Sequence, residues 1–367
     1  MTRLSSQATL NPLEQQCAVP ARHHAPVCRA QKLVALRFRR TDPIAASKFF
    51  IDFGLTLVSQ SENHALLRGA SDQTACIILE RGPAAYVGFS LAVASEDDLT
   101  RLAKTHNTPI VESDHGRGGK RVVLHDPDGV EVEALWNYAR LPEFPLPPTP
   151  LENRVKLTPR VNTTVRIALD QPCTINKLGH TVLGVRRIAE SIVWYQQNFG
   201  LIVSDFQLME NDPLPVVAFM RCDLGDLPAD HHTLAVASAV ETGHMHTAFE
   251  VNGLDSVAAG GEFLRRHKYR HTWGIGRHIL GSQLFDYWRD PLGDMFEHYS
   301  DGDVFDSSVP AGYHPIHPES MHQWGPPLNA DMAGKHPSLK LIRTIASRLR
   351  SNDDLSFKRL VNLIRSA

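Results

Sequence analysis

The chain repeats itself, and the repeat narrows the folds open to it. Ala46–Leu55 (ASKFFIDFGL) reads as a helical run closed by glycine, and Glu190–Leu201 (ESIVWYQQNFGL) takes the same form. Asp126–Glu133 (DPDGVEVE) and Asp290–Glu297 (DPLGDMFE) also match. Each is an Asp-Pro-x-Gly turn whose glycine permits positive φ, followed by a strand carrying a glutamate. Self-similarity over this length implies duplication of a structural unit. In the second half, periodicity predicts strands at 178–184, 201–206, 216–222, 232–238, 246–251, 284–289 and 295–300, with helices at 187–198 and 254–267. That order is β-α-β-β-β taken twice, an α+β architecture in which a curled sheet encloses a pocket.

A proline-rich stretch, Leu141–Pro150 (LPEFPLPPTP), interrupts the periodic segments as a stiff extended connector. The expected organisation is a poorly ordered lead over 1–30, a first domain over 31–140, a linker over 141–174, a second domain over 175–305 and an extension over 306–367. Two domains also suit 367 residues, since single cores seldom grow past about 250 to 300. The extension carries two amphipathic patterns, Leu339/Ile342/Ile345/Leu349 and Leu360/Val361/Ile364, suited to the pocket mouth or to a subunit contact. A net charge of -2 leaves no basic field for nucleic acid, and no apolar run reaches the roughly 18 residues of a membrane span. The five cysteines form no C-x-x-C pair and read as reduced thiols, which predicts a cytoplasmic protein.

Several of the 19 histidines fall inside apolar strand-like runs, where a polar ring must find a partner. His180 in LGHTV (178–182), His246 in HMHTAFEV (244–251) and Glu297 in MFEHY (295–299) recur at corresponding strand positions. Any one strand histidine is more simply a hydrogen-bonded core residue. Two imidazoles and a carboxylate together, with open positions remaining, suit a non-heme Fe(II) that must bind two reactants at once. In the first half the same places hold Val34 or Ala35, and Gly88, while Glu133 persists. That half is expected to keep the fold and bind no metal.

The run Gly276–Glu297 (GRHILGSQLFDYWRDPLGDMFE) resembles the signature of the type I extradiol ring-cleavage dioxygenases, in the vicinal oxygen chelate superfamily. The resemblance extends over about residues 31–305 and is strong after 176. It implies four βαβββ modules paired into two similar domains, a metal held by His180, His246 and Glu297, and His232, His278 and Tyr287 as the catalytic residues around it. The implied metal is Fe(II), with Mn(II) as an alternative. The implied partners are a small aromatic diol and O2, and the implied assembly is a homo-oligomer.

By the same resemblance His232 is the acid/base group, a role an imidazole fills near neutral pH. His278 and Tyr287 are implied to hydrogen-bond the substrate hydroxyls. Asp286 departs from the family, which has an apolar residue there, and is expected to alter the pocket wall. His231 should point away from His232, to the surface or a second layer of contacts, and His298 away from the metal. His244, expected on the same face as His246, should touch the ligands from behind rather than compete with them as a ligand. Val182, Trp194, Phe219, Leu280, Phe285 and Phe296 are expected to supply an apolar lining for an aromatic ring, whether of a catechol, a substituted catechol or a trihydroxyarene. Two other readings use the same fold: a glyoxalase-like isomerase or lyase in which the metal is a Lewis acid, and a metal-free protein that sequesters a ligand.

Overall fold

The computed structural model describes residues 11–366, apart from 115–116, 149, 330, 333–338 and 352–353. Helix α1 (Pro12–Gln16), capped by the Asn11 side chain, precedes a first half made of β1 (Ala30–Arg40), α2 (Pro43–Asp52), β2 (Thr56–Gln60), β3 (His64–Arg68), β4 (Ile77–Arg81), β5 (Ala85–Val93), α3 (Glu96–His106), β6 (Val111–Glu112), β7 (Lys120–His125) and β8 (Glu131–Trp136). The second half holds β9 (Ile175–Val185), α4 (Ile188–Phe199), β10 (Ile202–Leu208), β11 (Pro215–Arg221), β12 (Ala229–Asp230), β13 (Leu234–Ser238), β14 (Gly243–Val251), α5 (Gly253–Arg266), β15 (Arg270–Arg277), β16 (Leu284–Arg289) and β17 (Met295–Ser300). Beyond it come β18 (Val304–Phe305), β19 (Gly312–Pro315), α6 (Leu339–Arg348) and α7 (Phe357–Ser366). Among the described residues, no helix is long and apolar enough to cross a membrane.

Each half forms one open mixed sheet, in the orders β2-β3-β4-β1-β5-β8-β7-β6 and β15-β16-β17-β14-β9-β13-β11-β10-β19. An antiparallel pair stands at the centre of each, β1 with β5 and β9 with β14. Parallel partners flank both pairs: β4 and β8 in the first sheet, β13 and β17 in the second. The plan is one βαβββ module used four times, with β19 added parallel to the β10 edge and β12 pairing with β18 outside the sheet. Central strand β9 is buried along most of its length because both its faces are covered, which is why its sequence runs apolar rather than alternating. Strand β15 escaped the periodicity reading because Gly274 and Gly276 interrupt it and its ladder with β16 shifts register twice.

One apolar core joins the two halves. Phe49, Phe50 and Phe53, on α2 and its C-cap, meet Phe296 of β17, with the Phe50 and Phe296 rings 5.0 Å apart. Removing a ring buried in this way costs about 3–5 kcal/mol, so Phe296→Ala would loosen the halves from each other. Phe296 therefore belongs to this core and not to the pocket lining expected of it.

The lead over residues 11–29 is not the poorly ordered segment expected. Val27 N donates to Gln197 O (2.7 Å), Val203 N donates to Ala21 O (2.8 Å) and the Gln16 amide donates to Met209 O (2.9 Å), with Val19 and Cys28 buried. The last turn of α4 and the start of β10 leave backbone groups without partners, and the lead satisfies them. The first ten residues lie outside the described ones, as do the side chains of Leu339, Ile342 and Ile364 from the amphipathic patterns. Helices α6 and α7 are tied down through arginines: Arg348 donates to Val240 O (3.0 Å) and Arg186 O (3.1 Å), and Arg359 to Pro215 O (2.7 Å).

Candidate metal centre

The central ladder brings the three expected ligands together. His180 on β9 pairs opposite Ala248 of β14, and Ala248 pairs opposite Glu297 of β17. His246 lies two residues before Ala248 and so shares its face. The ligand atoms of His180, His246 and Glu297 lie within 4.8 Å of one another, and no other such group occurs among the described residues. The Nε2 atoms of His180 and His246 each stand 3.4 Å from Glu297 Oε2.

Glu297 is fully buried, and neither of its carboxylate oxygens has a hydrogen-bond donor. Burial pushes its carboxyl up, but His180 and His246 more than reverse this and hold it far below the usual carboxylate range. Burial pushes the His180 ring down against the pull of Glu297, which favours the form with a lone pair to give. An ionised carboxylate in such surroundings requires a cation. A single divalent transition ion bound by two imidazoles and the carboxylate meets that need, and the donor set fits one.

His232 sits in the bend just before β13, not within the strand, and its ring centroid is 4.0 Å from that of His180. Burial first, and the surrounding imidazoles second, push it well below the usual histidine range, so it is neutral. Behind it runs a polar chain that the sequence did not reveal. His232 Nδ1 meets His231 Nδ1 at 3.0 Å, His231 Nε2 meets Asp205 Oδ2 at 2.6 Å, and Asp205 Oδ1 meets His314 Nε2 of β19 at 2.7 Å. The two histidines hold the Asp205 carboxyl below its usual range against the effect of burial. Asp205 accepts the Nε2 proton of His231, so a neutral His231 accepts from His232 at Nδ1 and leaves His232 Nε2 bare. His231 is thus an inner contact, not a surface one.

On the other flank, His278 Nδ1 donates to Met321 O (2.7 Å) and its Nε2 accepts from Tyr287 Oη (3.0 Å). Burial pushes His278 down to about 4 and keeps the Tyr287 phenol well above its usual range. The Tyr287 ring stands edge-on to His246 at 5.2 Å. Five of these six side chains border one cavity of about 240 Å³, and Glu297 is not among its lining residues.

Other expectations need correction. The β14 ladder slips register between His244 and His246, so His244 turns to the opposite face, stacks on Tyr86 at 4.9 Å and shares a 2.8 Å hydrogen bond with Thr247 Oγ1. Asp286 does not alter the pocket wall: alternation along β16 points it away from the cavity, where it accepts from His271 Nε2 (2.7 Å) and Trp288 Nε1 (2.7 Å). His298 faces away from the ligands as expected and donates to Phe53 O (2.7 Å). Val182, Phe219 and Leu280 do line the cavity, whereas Trp194 packs on Tyr195 at 4.9 Å and Phe285 stacks behind His278 at 4.2 Å.

Four lining residues, Ser320, Met321, Leu328 and Met332, come from the segment after β19; no described residue of α6 or α7 reaches the cavity. That segment has no periodicity to read, and its bond to His278 is made by a backbone carbonyl, which any residue supplies. A larger hollow of about 600 Å³ lies under the proline-rich linker, away from every ligand named above.

Comparison with known proteins accords with this geometry. Residues 177–297 match the family model of the glyoxalase/bleomycin resistance protein/dioxygenase superfamily. A relative, metapyrocatechase 2 of Cupriavidus necator, is 28% identical over 292 residues, covering 78% of this chain and 86% of the relative. Among solved structures, a Mn(II)-bound glyoxalase from Novosphingobium aromaticivorans superposes with a TM-score of 0.69 at 21% identity, over 85% of this chain and 96% of the other. Homoprotocatechuate 2,3-dioxygenase from Arthrobacter globiformis gives 0.68 at 18% identity, over 86% and 93%. The Brevibacterium fuscum enzyme in complex with 3,4-dihydroxyphenylacetate gives 0.69 at 17%, over 86% and 95%. Residues 177–297 thus form a domain of the glyoxalase/bleomycin resistance protein/dioxygenase superfamily, set in a chain with the vicinal oxygen chelate fold of the extradiol dioxygenases.

Proposed function

We propose that the protein is an Fe(II)-dependent extradiol dioxygenase that opens a catechol-type ring with O2, and that His180, His246 and Glu297 hold the iron. One observation carries the reading. A wholly buried, ionised carboxylate without a donor faces two imidazoles, and a bare imidazole and a tyrosine–histidine pair stand on either side of the same apolar cavity. Bound iron would supply a Lewis-acidic centre at which diol and O2 meet, turning an encounter into an intramolecular reaction.

The chain's own groups manage the protons. Tyr287 gives its proton to the hydrogen bond with His278, so its oxygen is free to accept from a substrate hydroxyl. As that hydroxyl ionises, its proton passes to Tyr287 while the tyrosine's own proton moves to His278 Nε2; His278 stays anchored through Nδ1 to Met321 O. On the His180 side, His232 Nε2 takes up a proton and returns it later. The His231–Asp205 pair is placed to share the positive charge that forms. Apolar walls keep bulk water from these transfers.

The test is to load the protein with Fe(II) without oxygen, then admit air in the presence of a panel of catechols. Oxygen uptake with formation of a yellow ring-opened product is expected, and both should vanish in His246→Ala. The similarity to a Mn(II)-bound glyoxalase favours a second reading, a Lewis-acid isomerase. Tight metal binding with no oxygen uptake on any catechol would replace the first reading by that one.

A further inference from the structure

The far end of the cavity bears on what the aromatic ring carries. Away from the ligands its walls are aliphatic, aromatic or thioether side chains apart from Gln207, Gln283 and Ser320, and no Lys, Arg, Asp or Glu occurs among the described residues that line it. One polar device is built into this wall. Gln207 of β10 is 1% exposed and borders the cavity, and its Nε2 donates to Ser320 Oγ at 3.3 Å. Ser320 Oγ gives its single proton to His317 O (2.7 Å) and accepts from His317 N (3.2 Å), so towards Gln207 it can only accept. The amide is thereby oriented, nitrogen to Ser320. Its oxygen, Gln207 Oε1, is buried and has no donor.

Strand β10 lies three strands from β9 in the sheet, an offset of roughly 14 Å at about 4.8 Å per strand. That offset runs along the sheet, so Gln207 borders the same cavity as the ligands from another strand, and a substituent on the ring is the group placed to give it the donor it lacks. An anionic substituent would meet apolar walls and a carbonyl lone pair with no cation to pair with, an unfavourable burial. The thioethers of Met245, Met295, Met321 and Met332 give a wall that adapts to chains of different shape.

Resting on the ring-cleavage reading, we propose that the substrate is a catechol bearing an uncharged, mainly apolar substituent with a hydrogen-bond donor, a hydroxyl or an amide N–H, that reaches Gln207. The test uses the iron-loaded full chain and eight catechols, carrying propyl, 3-hydroxypropyl, 3-methoxypropyl or 2-carboxyethyl at either ring position 3 or ring position 4. Affinity is read by calorimetry without oxygen and kcat/KM by oxygen uptake. In one of the two positional series, hydroxypropyl should bind about 10-fold tighter than its methyl ether, which lacks the donor. Carboxyethyl should bind on the order of 100-fold more weakly than propyl. Gln207→Met should bring the hydroxypropyl-to-methoxypropyl ratio close to one; should that variant not fold, the wild-type series still decides. Equal binding of alcohol and ether in both positional series, or a preference for the carboxylate, would overturn the proposal. Unsubstituted catechol separates the two layers: oxygen uptake with catechol but a flat series defeats only the substituent assignment, whereas no uptake with any diol defeats the ring-cleavage reading beneath it.

Discussion

Glu133 and Glu297 hold the same place in the two halves, and each half answers the same electrostatic demand differently. Glu133 pairs opposite Ser90 as Glu297 pairs opposite Ala248, and both are fully buried. Glu133 accepts from Arg37 (2.5 Å), Ser90 (2.5 Å), Arg117 (3.1 Å) and Arg121. Glu297 accepts from no hydrogen-bond donor. The ladder also decides between Val34 and Ala35, because Ala35 pairs with Ser90 as His180 pairs with Ala248. Arg37 then stands where Val182 does, since Arg37 faces Gly88 as Val182 faces His246. A Cβ at Gly88 would come within 1.9 Å of Glu131 O, so the first half has no room for a second imidazole. A buried carboxylate needs positive charge nearby. Covalently attached guanidinium groups supply it in one half, and the other half keeps the space open for an ion.

Four experiments sharpen or break this contrast. The largest effect is expected from His246→Ala, which should remove iron from the purified protein, by elemental analysis, and abolish turnover; full iron content would break the comparison outright. His232→Ala should keep stoichiometric iron while slowing turnover by about 10²- to 10⁴-fold. Iron lost along with activity would mean that His232 helps hold the metal. Glu133→Gln leaves the buried guanidinium groups of Arg37 and Arg117 and the half-buried one of Arg121 each short of a partner, and should lower unfolding stability by about 3–5 kcal/mol in a denaturant titration, with iron content unchanged. Release of iron by this variant would show that the halves are not separable.

The smallest effect is on pH dependence. Burial opposes ionisation of Glu133, but Arg117, Arg37, Ser90 and Arg121 outweigh it, so its folded-state carboxyl lies below the unfolded value of about 4.3. Its stabilisation is therefore complete above about pH 4.3 and is lost as the pH falls through the depressed value. Thermal melts in the acid range should fall less steeply with pH in Glu133→Gln than in the wild type; equal slopes would mean that other carboxylates govern acid unfolding.

How far the sequence could be read depended on whether the information was local. The Asp-Pro-x-Gly turns and the helix-closing glycines exposed the repeat, and the repeat placed His180, His246 and Glu297 on corresponding strands that converge. The period-two rule correctly turns His298 away from the site. Applied to Asp286 beside Tyr287, the same rule would have put the aspartate outside the cavity. It failed at His244, because a register slip at Met245 breaks the alternation and leaves no mark in composition. Gln207 and Ser320 are 113 residues apart, and the oriented amide exists only once β10 and the extension meet. The lead over 11–29 and the Met321 contact act through backbone groups, which residue types do not advertise.

The cavity borrows its last wall from Ser320, Met321, Leu328 and Met332, after all three candidate metal ligands have already appeared along the polypeptide. A ribosome makes the chain in that direction, and domains fold as they emerge. A nascent protein that has reached Phe305 thus owns every ligand, but its mouth is still ajar, and His278 lacks the carbonyl that will later steady it. If these side chains hold an ion, the order of translation gives it a way in before the extension settles across the opening.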